Sequence, residues 1–330
     1  MKKYIYHILL SVVVLLPLVG CESGTNGSVQ SDDSIDYREE MRTFVVEIAE
    51  YARSIDTDFV VIPQNGTELL TLNGESDGAP AAAYIAAIDG VGREDVRYGY
   101  QSDDTPTPVG ERLYMEGFLN RAEHVGVEVL VTDYCTSRSY VDDSYEAAAA
   151  AGYISFAAER GLSAIPPYPT HPYNVHSGDV RNLLDAKNFL YLLDPGGFAD
   201  RGSFIAAIDA TDYDVLIIDL FDENGAALTV SEVTALKTKE NTGARLVVAY
   251  MSIGEAEDYR YYWDPDWFES PPSWLAAENP NWPGNYKVRY WDESWKARIF
   301  GFSNAYLDRI LAEGFDGVYL DIIDAFEYFE

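Results

Sequence analysis

Eight short runs along the chain are almost continuously apolar, and each ends in polar or acidic residues. They are FVVIPQNG (59–66), YIAAIDG (84–90), VEVLVTDYC (127–135), LSAIPPYP (162–169), NFLYLLD (188–194), DVLIIDLF (214–221), RLVVAYMSIGE (245–255) and GVYLDIID (317–324). An apolar run without alternation marks a strand covered on both faces, the condition of a parallel sheet. Between the runs, helical spacing takes over. PVGERLYMEGFLNRAEHVG (108–126) sets Leu113, Gly117, Leu119 and Ala122 near one face, and VDDSYEAAAAAGYISFAAERG (141–161) is Ala-rich with a stop at Gly161. TVSEVTALKTKENTG (229–243) and ESWKARIFGFSNAYLDRILAEG (293–314) precede the last two runs. Alternating strand and helix predicts an α/β fold with a parallel sheet, and about eight strands is the number of a (β/α)8 TIM barrel. The competing open doubly wound sheet lacks its signature, because no GxGxxG or other phosphate-binding glycine loop follows any run.

The two ends of this pattern complement one another. In DYREEMRTFVVEIAEYARSI (36–55), Met41, Phe44, Val45, Ile48, Ala49, Ala52 and Ile55 recur at i, i+3, i+4 and i+7, a stripe that has to pack on something. The last run, in GFDGVYLDIIDAFEYFE (314–330), has no helix of comparable length after it. A closed barrel makes its first and last strands neighbours. The 317–322 strand is therefore expected to pair with 59–63, with the 36–55 helix covering both.

Composition narrows the function. The first residues, MKKYIYHILLSVVVLLPLVGC, join Lys2 and Lys3 to a short apolar run ending in Leu18-Val19-Gly20-Cys21. This reads as a secretory signal peptide (1–21) with a lipobox, Cys21 being the lipid attachment site. A membrane-spanning helix would need about 20 apolar residues, and Pro17 interrupts this run. Residues 22–35 read as a flexible polar tether and 36–330 as one barrel, which predicts a lipoprotein of the cell envelope, facing periplasm or exterior. With Cys21 lipidated, Cys135 has no partner for a disulfide and reads as a small core residue. The net charge of −32 argues against nucleic acid and favours cationic partners. Aromatics make up 14% of the chain, enough ring surface to line a sugar or peptide cleft. The four histidines, at 7, 124, 171 and 176, make no metal-binding spacing with acids, and no GxSxG elbow occurs, so no metal, cofactor or serine nucleophile is predicted.

In a barrel the working residues stand at the carboxyl ends of the strands. Those ends read Gln64 and Asn65, Asp89, Asp133 and Tyr134, Asp219, Glu255 and Glu257, and Asp321 with Asp324. Any one acid there is a good helix N-cap, but so many at one mouth suit glycosidic cleavage, which uses one carboxyl as proton donor and another as nucleophile or base. Asp321, directly after VYL, is the choice for nucleophile or base, and Glu255 is a candidate acid on position alone. Tyr250, Tyr134, Trp263 and Trp291 are candidates to stack on sugar faces, although core packing is the commoner fate of a ring.

Five stretches resemble one family: VVAYMSIGEAEDYRYYW (247–263), NPNWPGNYKVRYWDESW (279–295), GFDGVYLDIIDAFEYF (314–329), FVVIPQNGTELL (59–70) and AAIDGVGREDV (86–96). This is the endo-α-1,4-polygalactosaminidase group, glycoside hydrolase family 114. The resemblance implies that the strand after GEAE carries the Asp, here Asp321, and that the acid partner lies two strands along, in YIAAIDGVGRED, making it Asp89 or Glu94. It also implies that Glu257 and Arg260 pair and shape their loop. In the family, the block from about 187 to 330 precedes the block from about 36 to 170, so this chain is expected to be circularly permuted, joined through THPYNVHSGDVRNLLDA (170–186). The function this implies is a lipid-anchored hydrolase of a cationic α-1,4-galactosamine-type polysaccharide. A sugar-binding lipoprotein with the same barrel but no active pair is the alternative.

Overall fold

A computed structural model describes residues 35–330, so the signal peptide, Cys21 and nearly all of the tether lie outside the described residues. The elements in chain order are α1 (Tyr37–Ile55), β1 (Val60–Pro63), α2 (Ala82–Ala87), β2 (Gly90–Glu94), α3 (Val109–His124), β3 (Glu128–Tyr134), α4 (Arg138–Ala151) and β4 (Ile154–Ala158). The second half runs β5 (Phe189–Leu192), α5 (Arg201–Asp209), β6 (Val215–Asp219), α6 (Val230–Leu236), β7 (Leu246–Ser252), β8 (Glu255–Glu257), β9 (Leu275–Glu278), β10 (Asn285–Val288), α7 (Glu293–Ile299), α8 (Tyr306–Ala312), β11 (Gly317–Asp321) and α9 (Phe326–Phe329). The fold is mixed α/β. A parallel sheet of order β1-β11-β7-β6-β5 forms its centre, with a second parallel sheet β2-β3-β4 and a small antiparallel sheet β8-β10-β9.

The expected pairing of the last strand with the first is observed: Val60 lies opposite Gly317 and Pro63 opposite Leu320, in parallel. Beyond β1 the chain reaches the second sheet, since Asn65 N donates to Gly92 O at 2.8 Å and Asp89 N to Val61 O at 2.9 Å. At the other side, Leu193 N donates to Leu162 O at 3.0 Å, and the Phe156 and Phe189 rings stand 5.6 Å apart.

Helix α1 starts at Asp36, whose side chain accepts from Glu39 N, a cap that satisfies one of the free amides of the first turn. Met41, Phe44, Val45, Ile48, Ala49 and Ala52 are all buried, in the cluster that also holds the strands. Ile55, at the helix end, is exposed. On α3 the buried face is Met115, Phe118, Leu119 and Ala122, while Leu113 points to solvent.

Two strands lie elsewhere than the apolar runs suggest. Residues 84–90 hold the end of helix α2, and the strand is the Gly-rich GVGRE that follows. Residues 162–169 form no strand; β4 is ISFAA, inside the stretch read as a helix. Gly152, in the left-handed region at φ 91°, ends α4 there, and β-branched and aromatic residues follow it. The antiparallel sheet was not predicted, because its strands of three or four residues carry no period.

Candidate active site

Asp321 is the last residue of β11 and is partly open to solvent. Its Oδ2 accepts from the hydroxyl of Tyr250, on the neighbouring β7, at 2.5 Å, and its Oδ1 from Ile322 N at 2.8 Å. Ile322 sits at φ 57°, a left-handed conformation costly for a β-branched residue. That turn bends the chain away immediately after the carboxylate. Gly254 permits it, since a Cβ there would come within 2.1 Å of the Ile322 carbonyl oxygen.

Glu94 ends β2 and is buried. Its Oε1 accepts from the Tyr134 hydroxyl, at the end of β3, and its Oε2 from Asn65 Nδ2 at 3.3 Å. Asn65, at φ 61°, is a residue type that tolerates the left-handed turn, and its own Oδ1 accepts from Glu94 N at 3.4 Å. Gln64 accepts from the Tyr191 hydroxyl at 3.1 Å.

The two carboxyls share one electrostatic neighbourhood. Burial pushes Asp321 up to about 8, the charge of Glu94 adds to the rise, and the Tyr250 hydrogen bond acts against it. At neutral pH Asp321 keeps its proton, and with Glu94 it makes two carboxyls, the number that general acid–base or nucleophilic work on a glycosidic bond requires.

Around this pair the other predicted residues divide. Arg260, almost fully buried, donates from Nε to Glu257 Oε2 at 2.6 Å and reaches Asp219 at 2.9 and 2.8 Å. The expected Glu257–Arg260 pair is thus present, with Asp219 as its third member. Replacing Arg260 by Ala strands the buried Glu257 and the partly buried Asp219, and we expect a loss of about 3–5 kcal/mol in urea denaturation; a loss below 1 kcal/mol would show the carboxylates to be otherwise neutralised. Asp324 sits in the turn after Ile322, where burial pushes it up to about 6 against the charges of Lys287 and Arg93.

Three candidates are held elsewhere. Asp89 stands at the amino end of β2, the opposite end from Glu94, because the strand starts at Gly90. Its Oδ2 accepts from Val61 N and Arg53 Nη2, both at 2.7 Å, so it ties β1 to α1 and is no acid partner for Asp321. Asp133, fully buried, accepts from Arg97 N, Tyr98 N and the Ser144 hydroxyl, which fixes the β2–α3 loop and corrects its place among the working residues expected at the strand ends. Glu255 is fully buried in the antiparallel sheet, bound by Lys287 at 2.8 Å, Asn279 at 2.8 Å and Asn285 at 3.2 Å. With its oxygens so occupied it is a poor proton donor, which corrects its candidacy as the acid. Trp291 packs on Tyr37 and Phe329, and Trp263 on Tyr286 and Trp267. Sequence reasoning missed Tyr191 and Tyr319, interior rings beneath the acids; nothing local separates them from ordinary core tyrosines.

An uncharacterized protein of Methanocaldococcus jannaschii is 44% identical over 124 residues, 38% of this chain and 34% of that protein. Proteins of Deinococcus radiodurans and Thermotoga maritima are each 41% identical over 121 residues, 37% of this chain and 36% of theirs. The chain thus spans about a third of the length of the curated relatives it matches. Among solved structures, a modular endo-beta-1,4-mannanase from Cellulomonas fimi aligns with a TM-score of 0.40 at 10% identity, covering 91% of this chain and 75% of that one. Residues 188–330, the segment that carries Asp219, Tyr250, Glu257, Arg260 and Asp321, match the model of the glycoside-hydrolase family GH114.

Proposed function

We propose that this protein is a glycoside hydrolase that cleaves an amino-sugar polymer of the α-1,4-galactosamine type, with Asp321 and Glu94 as its two carboxyls. The observation that carries the reading is the placement of these two groups: they end strands on either side of β1, and the charge of Glu94 adds to the rise that burial gives Asp321. The family match over residues 188–330 supports it. Asp321, oriented by Tyr250 and Ile322 N, attacks the anomeric carbon or activates water, and Glu94 protonates the leaving oxygen. In the free site burial keeps a proton on Asp321 at neutral pH. A sugar bearing an ammonium group, or the positive charge that develops at the anomeric carbon, favours the Asp321 carboxylate and lets its proton pass to Glu94. The net charge of −32 draws such a cationic polymer in.

The test is turnover of galactosamine oligomers by the purified protein; binding without turnover returns the molecule to a sugar-binding role. Because the chemistry needs the single proton of the pair, kcat/KM is expected to fall as the pH rises through about 8, the value to which burial pushes Asp321. A profile flat from pH 6 to 10 would contradict this.

We read the two parallel sheets as one closed eight-stranded barrel, joined at β1/β2 through Asn65 and Asp89 and at β4/β5 through Leu162 and Leu193. We read the chain order as a permutation, since the family match begins at residue 188 and the stretches resembling the remainder of the family precede it. Anchoring through Cys21 to the cell envelope belongs to the same proposal. Cys21→Ser is expected to release the protein from the membrane fraction or leave an uncleaved precursor; unchanged processing would remove the anchor from the reading.

A further inference from the structure

Alternate residues of a strand share a face, so Tyr319 lies one layer below Asp321 on β11, and Gly92 one layer below Glu94 on β2. The Tyr319 ring is fully buried, with its centroid 5.2 Å from that of Tyr191. Its hydroxyl rests on Gly92, where a Cβ would stand only 2.0 Å from the phenol oxygen. Glycine at 92 is therefore what lets this side chain cross from the strand of one acid to the strand of the other. Among the described residues the hydroxyl has no hydrogen-bond partner. Buried donors are rarely left unused, and the carboxylates of Glu94 and Asp321 are the charges that act on this phenol.

We infer that Tyr319 is a positioning residue of the acid pair, its hydroxyl donating a hydrogen bond to Glu94 whenever that carboxyl is ionised. The inference rests on the hydrolase reading for its role in turnover. An ionised carboxylate has about four acceptor sites, and Tyr134 and Asn65 occupy two of those on Glu94. Once Glu94 has given its proton to the leaving oxygen, a third donor stabilises the carboxylate left behind; the phenol keeps its own proton throughout. The other groups facing Glu94 are Asp95 beside it, Tyr134 from β3, Tyr191 from β5 and Asp321 from β11. Arg160, after β4, pairs with Asp95 at 2.9 Å and lies 4.0 Å over the Tyr134 ring.

Tyr319→Phe removes one partnerless oxygen and should leave the fold intact. In the full chain without substrate, carbon-13 carboxyl NMR should show the Glu94 titration moving up by about one unit in this variant, because a donor to the ionised form is lost. Replacing Tyr319 by 3-fluorotyrosine, a stronger donor of the same shape, should move it down. With galactosamine oligomers, Tyr319→Phe should lower kcat about tenfold with KM little changed. A Glu94 titration that stays put in both variants overturns the inference. Opposite shifts in a parent chain that turns nothing over leave the inference standing and remove the hydrolase reading instead.

Discussion

A chain lacking residues 36–55 is expected to lose cooperative unfolding altogether. Met41, Phe44, Val45 and Ile48 are fully buried, and side chains of this size stabilise a fold by about 1.5–3 kcal/mol each, or about 6–12 kcal/mol together. The net stability of an ordinary domain is about 5–15 kcal/mol. Polar contacts go with them: Arg42 donates to Leu69 O at 2.9 Å and Thr71 O at 2.6 Å, and Tyr51 to Asp308 at 2.5 Å. Arg38 pairs with Glu330 at 2.8 Å, so the helix at one end of the chain holds the other end. Phe44→Ala alone should cost about 3–5 kcal/mol. Urea denaturation followed by circular dichroism makes both measurements, and a sharp two-state transition in the deleted chain would show that α1 is dispensable.

Asp321→Asn is expected to lower turnover by about a thousandfold or more while the protein remains folded. The amide keeps the shape and can still meet the Tyr250 hydroxyl, but it neither attacks nor ionises. Glu94→Gln should match it, and Glu255→Gln, whose parent carboxyl is already bound by Lys287 and two asparagines, should retain activity wherever the fold survives. The same variant has a thermodynamic signature. Burial raises the folded-state value of Asp321 to about 8, against about 3.9 for an unperturbed aspartate. Its contribution to stability is thus fully present below pH of about 4 and is lost as the pH rises through about 8. Removing the carboxyl should flatten the stability curve over that window and leave the variant at least as stable as its parent at pH 8. Activity within tenfold of the parent would exclude Asp321 from the chemistry; an unchanged stability curve would mean that the carboxyl is solvated.

What the sequence determined by itself lies in its local periods. The stripe of α1, the apolar runs of β1, β3, β5, β6, β7 and β11, and the acids at the ends of β6 and β11 were all legible, because alternation of covered strands and one-faced helices is written within ten to twenty residues. The pairing of β11 with β1 followed from one unpartnered helix and one uncovered strand. The tertiary structure decided the rest. Whether YIAA or GVGRE is the strand turned on Gly92, whose missing side chain makes room for Tyr319, more than two hundred positions away. That choice put Glu94 at the carboxyl end of β2 and Asp89 before its amino end. It likewise set Glu255 among Lys287, Asn279 and Asn285, and drew Asp219 and Glu257 onto Arg260. Which carboxyls face one another, and which are neutralised, depends on strand register and on the order of strands in space. Both arise from contacts between distant segments, and neither leaves a period along the chain.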